Sequence, residues 1–287
     1  LPIIAMGHST LMINVNVKAL EELVHKPPKT KIILKGKLKI KLLSSYVYLA
    51  DEERKKFAQS RHEYLLELKV MQRFHIDKIS DNWQIDFHNP CKELKWFYIS
   101  KKVKKNHQHG NYTGIVSKDY FSNPNHNVYD VDDDVKRFVM ALLTNKEKLH
   151  NTIAPTTSHN YTEPMNVYAL DSDDRNKFES FIKNRPEPQN PIELSRLKIN
   201  GKERFEVEGI MSGTVVGMMH YGDTFINGVN GYTFARHPKN ENHSGYINFN
   251  NFNDINFKTT LGLDADIEGE IIVIINSYNV LRIASGL

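Results

Sequence analysis

The sequence predicts an all-β protein, an antiparallel sandwich with short helices confined to inserted loops. Three observations carry this. Ile271, Ile272, Val273, Ile274 and Ile275 form an unbroken β-branched run, too short to span a membrane and suited to a strand buried on both faces. Elsewhere apolar residues recur at period two, as in Leu11, Ile13, Val15 and Val17 or Trp83, Ile85 and Phe87. The dipeptide Asn200-Gly201 separates two such runs and signals a tight hairpin.

Taken in order, the period predicts a first strand over Leu11–Val17. Pro27-Pro28 then breaks the chain, and Lys35–Leu43 and Tyr46–Leu49 resume extended structure. Asp51–Met71 reads as a helix: Asp51, Glu52 and Glu53 suit its positive amino end, and Phe57, Tyr64, Leu65 and Leu68 fall on one face. From Trp83 strands return. Asn89-Pro90 turns the chain, Leu94–Ile99 carries an aromatic core, and Lys101–Lys105 with Asn106–Gly110 forms a polar loop.

The middle third changes period. Val131–His150 places Val135, Phe138, Val139, Leu142 and Leu143 at helical spacing behind Asp132, Asp133 and Asp134 and closes on Lys146, Lys148 and His150. Asp171–Lys183 reads as a second inserted helix, stopped by Pro186, Pro188 and Pro191. Strands resume in a hairpin over Glu193–Phe205, then in Gly231–Ala235, Tyr246–Phe257 and Glu270–Leu281. The Asn density of the middle run of these three invites bulges, and the last run should be a central strand.

Composition narrows the class. The chain has 287 residues, 40% hydrophobic and 25% charged, ordinary for a globular protein with a sizeable core. A single cysteine, Cys91, excludes an internal disulfide and suits a reducing compartment. No run has the length and apolarity of a membrane span, and Leu1–Thr10 lacks the pattern of a signal peptide. The net charge of +4 is uneven, because residues 1–110 hold 21 Lys+Arg against 11 Asp+Glu. The densest part, Lys29–Lys41, alternates Lys with Leu and Ile from Lys37 onward. That is the pattern of a half-buried strand with a solvated basic face, and it lacks the aromatic partners that single-stranded nucleic acid would need.

Candidate chemistry is sparse. His107-Gln108-His109 has a metal-binding spacing without a nearby third ligand, since the next acid is Asp119, and reads as a solvated loop. Asp132-Asp133-Asp134 has a sufficient explanation in the helix dipole. Cys91 reads as a buried structural thiol, and Gly209, Gly213 and Gly217 as turn residues at a strand's flank. Asn111, Asn160 and Asn242 open formal glycosylation sequons. No catalytic, cofactor-binding or metal-ligating residue is assigned.

Four ordered blocks resemble the double jelly-roll major capsid proteins of nucleocytoplasmic large DNA viruses. They are Leu1-Pro2-Ile3-Ile4-Ala5; Asp51–Gln59 with His62-Glu63-Tyr64-Leu65; Phe87–Trp96; and the carboxyl end, with Phe234-Ala235-Arg236-His237-Pro238, Ser244–Phe249, Tyr278–Ile283 and Ser285-Gly286. Residues 111–230 match weakly, apart from Asn200–Phe205.

The resemblance implies that residues 1–50 are late strands of a first jelly roll whose beginning is absent here, 51–73 an inter-roll linker helix, and 74–287 the second jelly roll. It implies a structural virion protein without enzymatic activity or cofactor. The expected unit is a homotrimeric, pseudo-hexameric capsomer of an icosahedral shell, in contact with neighbouring capsomers and minor capsid proteins. It would assemble in the host cytoplasm, bind no nucleic acid sequence-specifically, and meet an inner membrane only indirectly. The alternative is a free-standing jelly-roll binding protein or cupin-like metalloenzyme holding a metal through His107 and His109.

Overall fold

The computed structural model describes residues 3–7, 10–23, 29–31, 33, 35–36, 39–117, 190–209, 211–240, 242–262, 265 and 267–283. The helices expected at Val131–His150 and Asp171–Lys183 lie outside the described residues. A 3-10 turn at Ile3–Met6 and the single-turn helix α1 (Leu20–Leu23) come first. Next are α2 (Asp51–Gln59), β1 (His62–Ile76), β2 (Ser80–Gln84), β3 (Pro90–Ser100), α3 (Lys101–Lys105), β4 (Ile192–Ile199) and β5 (Lys202–Glu208). A π-helical turn, Met211–Val215, runs into α4 (Val216–Tyr221). Then come β6 (Val229–Thr233), the two-residue β7 (Ile247–Asn248), a 3-10 turn, β8 (Ile255–Leu261) and β9 (Gly269–Ile283).

The strands form two antiparallel sheets, ordered β1-β9-β3-β6 and β2-β8-β4-β5, with β7 beside β3. The last strand is thus flanked by the first and third, as expected of the unbroken apolar run Ile271–Ile275. Eight main strands divided this way between two sheets make a jelly-roll sandwich. The connections sort to two ends. At one end Leu261 N donates to Ile79 O (2.7 Å), Gly262 N to Pro191 O (3.0 Å) and Lys101 N to Glu268 O (2.8 Å). At the other, Ile85 N donates to Ile255 O (2.8 Å) and Asn200 N to Asp254 O (2.7 Å).

The core lies between the sheets. Leu94, Trp96 and Tyr98 of β3 face Ile275, Val273 and Ile271 of β9 in register, and all six are fully buried. Trp96 stacks on Phe205 of the opposite sheet (5.7 Å between centroids) and meets Phe257 edge-on at 5.3 Å. Each such side chain contributes about 1.5–3 kcal/mol by leaving water. The hairpin turn forms as its residues require: Asn200 and Gly201 both have positive φ, 48° and 75°.

Several expectations are corrected. The helix expected over Asp51–Met71 ends at Gln59, and His62–Ile76 is a strand paired along its whole length with β9. The sandwich therefore opens at His62 rather than at residue 74. Glu, Lys, Leu, Met and Gln make this stretch a good intrinsic helix former, but fifteen paired positions against β9 outweigh the few tenths of a kcal/mol per residue at stake.

Lys101–Lys105 is a short helix rather than a loop, capped by Ser100 Oγ accepting from Lys102 N at 3.2 Å. The strands expected over Leu11–Val17, Lys35–Leu43 and Tyr46–Leu49 do not form among the described residues. Leu11, Ile13, Val15, Ile40, Leu42 and Tyr48 are exposed instead, with no described strand alongside to take their backbone hydrogen bonds. The solvated face expected for the lysines holds at Lys31, Lys35, Lys39 and Lys41, all exposed.

Candidate assembly surface

The two lateral sides of the sandwich differ. On one, residues 211–225 lie against β5 and β6 and cover the edge. On the other, β1 is an edge strand. Its register with β9 puts Leu66, Leu68 and Val70 on the inner face and Leu65 and Met71 on the outer. Leu65 is 55% exposed and Met71 52%, and Val280, opposite Leu65, is also exposed. Leu68 and Val70 point inward yet stay open; the five-residue β2 meets β1 further along, at the Phe74–Trp83 stack (5.4 Å). Exposed apolar side chains along an open strand edge are the kind of surface that proteins bury against another chain.

Beside that edge, the outer face of the first sheet carries buried charge. Lys92 is 4% exposed; it pairs with Glu67 of β1 and lies 5.7 Å from the Tyr278 ring centroid. Glu93, also buried, accepts from Asn276 of β9 and pairs with Lys95 at 3.1 Å. Lys95 in turn sits 4.7 Å from the Tyr221 centroid and 5.5 Å from Phe225. Burial raises the Tyr278 phenol above its ordinary value, and the Lys92 ammonium opposes that. The cluster locks β1, β9 and β3 together where β1 leaves the sandwich.

At the end where the 101–191 connection leaves and returns, side-chain amides make the junction. Asn190 Nδ2 donates to Gly209 O (2.8 Å) and to Asn230 Oδ1 (2.7 Å), while Ser212 Oγ donates to the same Asn230 oxygen at 2.6 Å. Gln108 Oε1 accepts from Asn111 Nδ2 (2.8 Å) and from Ser117 N (2.9 Å). A Cβ at Gly228, whose φ is 82°, would overlap the carbonyl oxygen of Tyr112, so only glycine lets the two connections meet there.

The residues singled out in the sequence are scattered over this frame. The rings of His107 and His109 lie edge to face at 5.9 Å, His107 with a positive φ of 56°. Among the described residues no three of His, Cys, Asp and Glu gather as a metal site requires. Asp132, Asp133, Asp134 and Asn160 lie outside the described residues. Cys91 is fully buried, and burial pushes its thiol far above the ordinary range, which suits the structural role expected of it. Asn111 is buried too, its amide donating to Gln108 Oε1 and Ile115 O (both 2.8 Å), whereas Asn242 is exposed.

Gly209, Gly213 and Gly217 are not turn residues. They line the 209–217 helical segment, where a Cβ would strike the main chain of Ile192, Val229 and Asp223 respectively. Sequence reasoning missed the Lys92–Glu67–Tyr278 and Asn190–Asn230–Ser212 groups. Their members are far apart in the chain, and the one local sign is the placing of Lys92 and Glu93 beside the apolar core positions Cys91 and Leu94 of β3.

No helix among the described residues is long and apolar enough to cross a membrane. A model of the large eukaryotic DNA virus major capsid protein family matches residues 53–287. Over its full length the chain is 26% identical to the major capsid protein of Phaeocystis pouchetii virus and 24% identical to that of Chrysochromulina ericina virus. It spans 61% of the length of each. Among solved structures, the PBCV-1 virus capsid aligns with a TM-score of 0.52 at 19% identity, over 84% of this chain and 54% of that one, which is a likeness of fold. The family match starts within α2 and takes in all nine described strands, and the chain belongs to the family of large eukaryotic DNA virus major capsid proteins.

Proposed function

We propose that the protein is a structural subunit of a viral capsid shell, working as a trimer whose pseudo-hexagonal outline tiles the shell beside neighbouring capsomers and minor capsid proteins. The observation that carries this reading is the family match over residues 53–287, which coincides with the whole eight-stranded sandwich. Residues 1–50 are assigned to the first of two jelly rolls, which fits their exposed period-two apolar residues. The protein would act in the virion by shape, without catalysis or cofactor, and would touch nucleic acid and membrane only indirectly.

A closed threefold ring needs a heterologous interface, one patch of each subunit meeting a different patch of the next. The two unlike sides of the sandwich, one covered by residues 211–225 and one open along β1, supply such a pair. Obligate interfaces bury on the order of 2,000–5,000 Å². Analytical ultracentrifugation of the protein from particles and from recombinant expression tests the reading. The expected result is a trimer at micromolar concentration; a chain that stays monomeric from both sources would overturn it.

A further inference from the structure

Lys95, Glu93 and Asn276 meet on the outer face of the first sheet, on two neighbouring strands. Glu93 of β3 is paired in register with Asn276 of β9, and Lys95 stands two residues further along β3, opposite Ile274. The lysine and the asparagine are therefore diagonal neighbours, a spacing that a long side chain spans. Their nitrogens converge on one atom: Glu93 Oε1 accepts from Asn276 Nδ2 and pairs with Lys95 Nζ at 3.1 Å. The other lysine nearby, Lys92, gives its ammonium to Glu67 instead.

The site is largely shut off from water. Glu93 is 3% exposed and Asn276 8%, while Lys95 is half-buried. The rings of Tyr221 and Phe225 cover the Lys95 ammonium, with centroids 4.7 and 5.5 Å away. Gly231, opposite Lys95 on β6, leaves the room for them, since a Cβ there would come within 2.5 Å of the Phe225 ring. Two acceptors in the site are unsatisfied: Glu93 Oε2 and Asn276 Oδ1 are buried with no hydrogen-bond partner among the described residues. A plain ion pair leaves both at an energetic cost, and a proton on the carboxyl group is the donor they lack.

We propose that Lys95 and Asn276 join in an intramolecular isopeptide bond, with Glu93 as the proton carrier. Lys95 Nζ passes a proton to Glu93, and the neutral amine attacks Cγ of Asn276. The Nζ–Cγ bond forms and the Cγ–Nδ2 bond breaks. Glu93 relays two protons in all from Nζ to the departing nitrogen, which leaves as ammonium while the carboxylate is restored. No oxidant or cofactor enters the balance. Holding amine, amide and carboxyl together supplies the encounter that is improbable in open solution. The product ties β3 to β9 and closes a long loop of chain, restraining the unfolded state as a disulfide would. A chain whose single cysteine allows no internal disulfide gains a covalent brace by this route.

Mass spectrometry of the full chain, kept folded at neutral pH and then denatured, tests the bond. The wild type should be lighter than its sequence by one ammonia, about 17 Da. Ammonia loss at an Asn-Gly pair gives the same mass, so a protease digest must locate the change: one branched peptide should carry both Lys95 and Asn276. Glu93→Gln and Lys95→Arg, each shown to be folded by circular dichroism, should keep the full mass and yield no branched peptide. A wild type at full mass, a loss of ammonia without the branched peptide, or a branched peptide that persists in Glu93→Gln would each overturn the proposal. Should the variants fail to fold, the wild-type digest decides: the Lys95–Asn276 peptide supports the bond, and its absence overturns it.

Discussion

The indole Nε1 of Trp96 donates to Ser195 Oγ at 2.8 Å, joining β3 of one sheet to β4 of the other through the middle of the core. Both residues are fully buried, so neither group has water as a substitute. Trp96→Phe keeps an aromatic ring but leaves the Ser195 hydroxyl without its donor, at a cost of about 1–3 kcal/mol. Trp96→Ala adds a cavity and should cost about 3–5 kcal/mol. Urea unfolding with an unchanged slope is the measurement, and a midpoint for Trp96→Phe equal to wild type would refute the role given to this bond.

The Lys92–Glu67 pair is unequal, since the Lys92 side chain is almost wholly buried while that of Glu67 is 42% exposed. Removing the acid strands a buried ammonium; removing the base leaves a carboxylate that water can reach. Glu67→Ala should therefore destabilise by about 1–3 kcal/mol, and Lys92→Met by clearly less. The opposite ranking in urea titrations would show that the pair does not lock β1 to β3.

Cys91 should be inert in the folded protein. Burial is the largest cause of its raised thiol, with the neighbouring Glu93 charge adding to it, and only the thiolate reacts with disulfide reagents. At about pH 8 the native chain should release almost no thionitrobenzoate, whereas the urea-unfolded chain should give one equivalent. Rapid native labelling would place Cys91 at the surface and contradict the packing of β3 against β9.

Much of this molecule follows from local pattern. Five consecutive β-branched residues determined a central strand at Ile271–Ile275, because such a run is satisfied only with neighbours on both sides and on both faces. Asn200-Gly201 determined a turn, because those two residues accept the positive φ values that a two-residue hairpin imposes. The capsid resemblance was likewise legible in short blocks at the carboxyl end, which fall just after β6, across β7 and on the end of β9.

What tertiary structure alone decided is how ambiguous stretches were used. Residues 62–71 have the composition of a helix and became part of an edge strand, because β9 offered a long backbone ladder that a helix would have left unpaired. Leu11–Val17 has the period of a strand and pairs with no described strand, because a strand's hydrogen bonds, unlike a helix's, are made by another segment. The buried Lys92, the amide junction at Asn190 and the helical seat of Gly213 and Gly217 were invisible for the same reason. Each exists only where residues distant in sequence are brought together by the two-sheet topology.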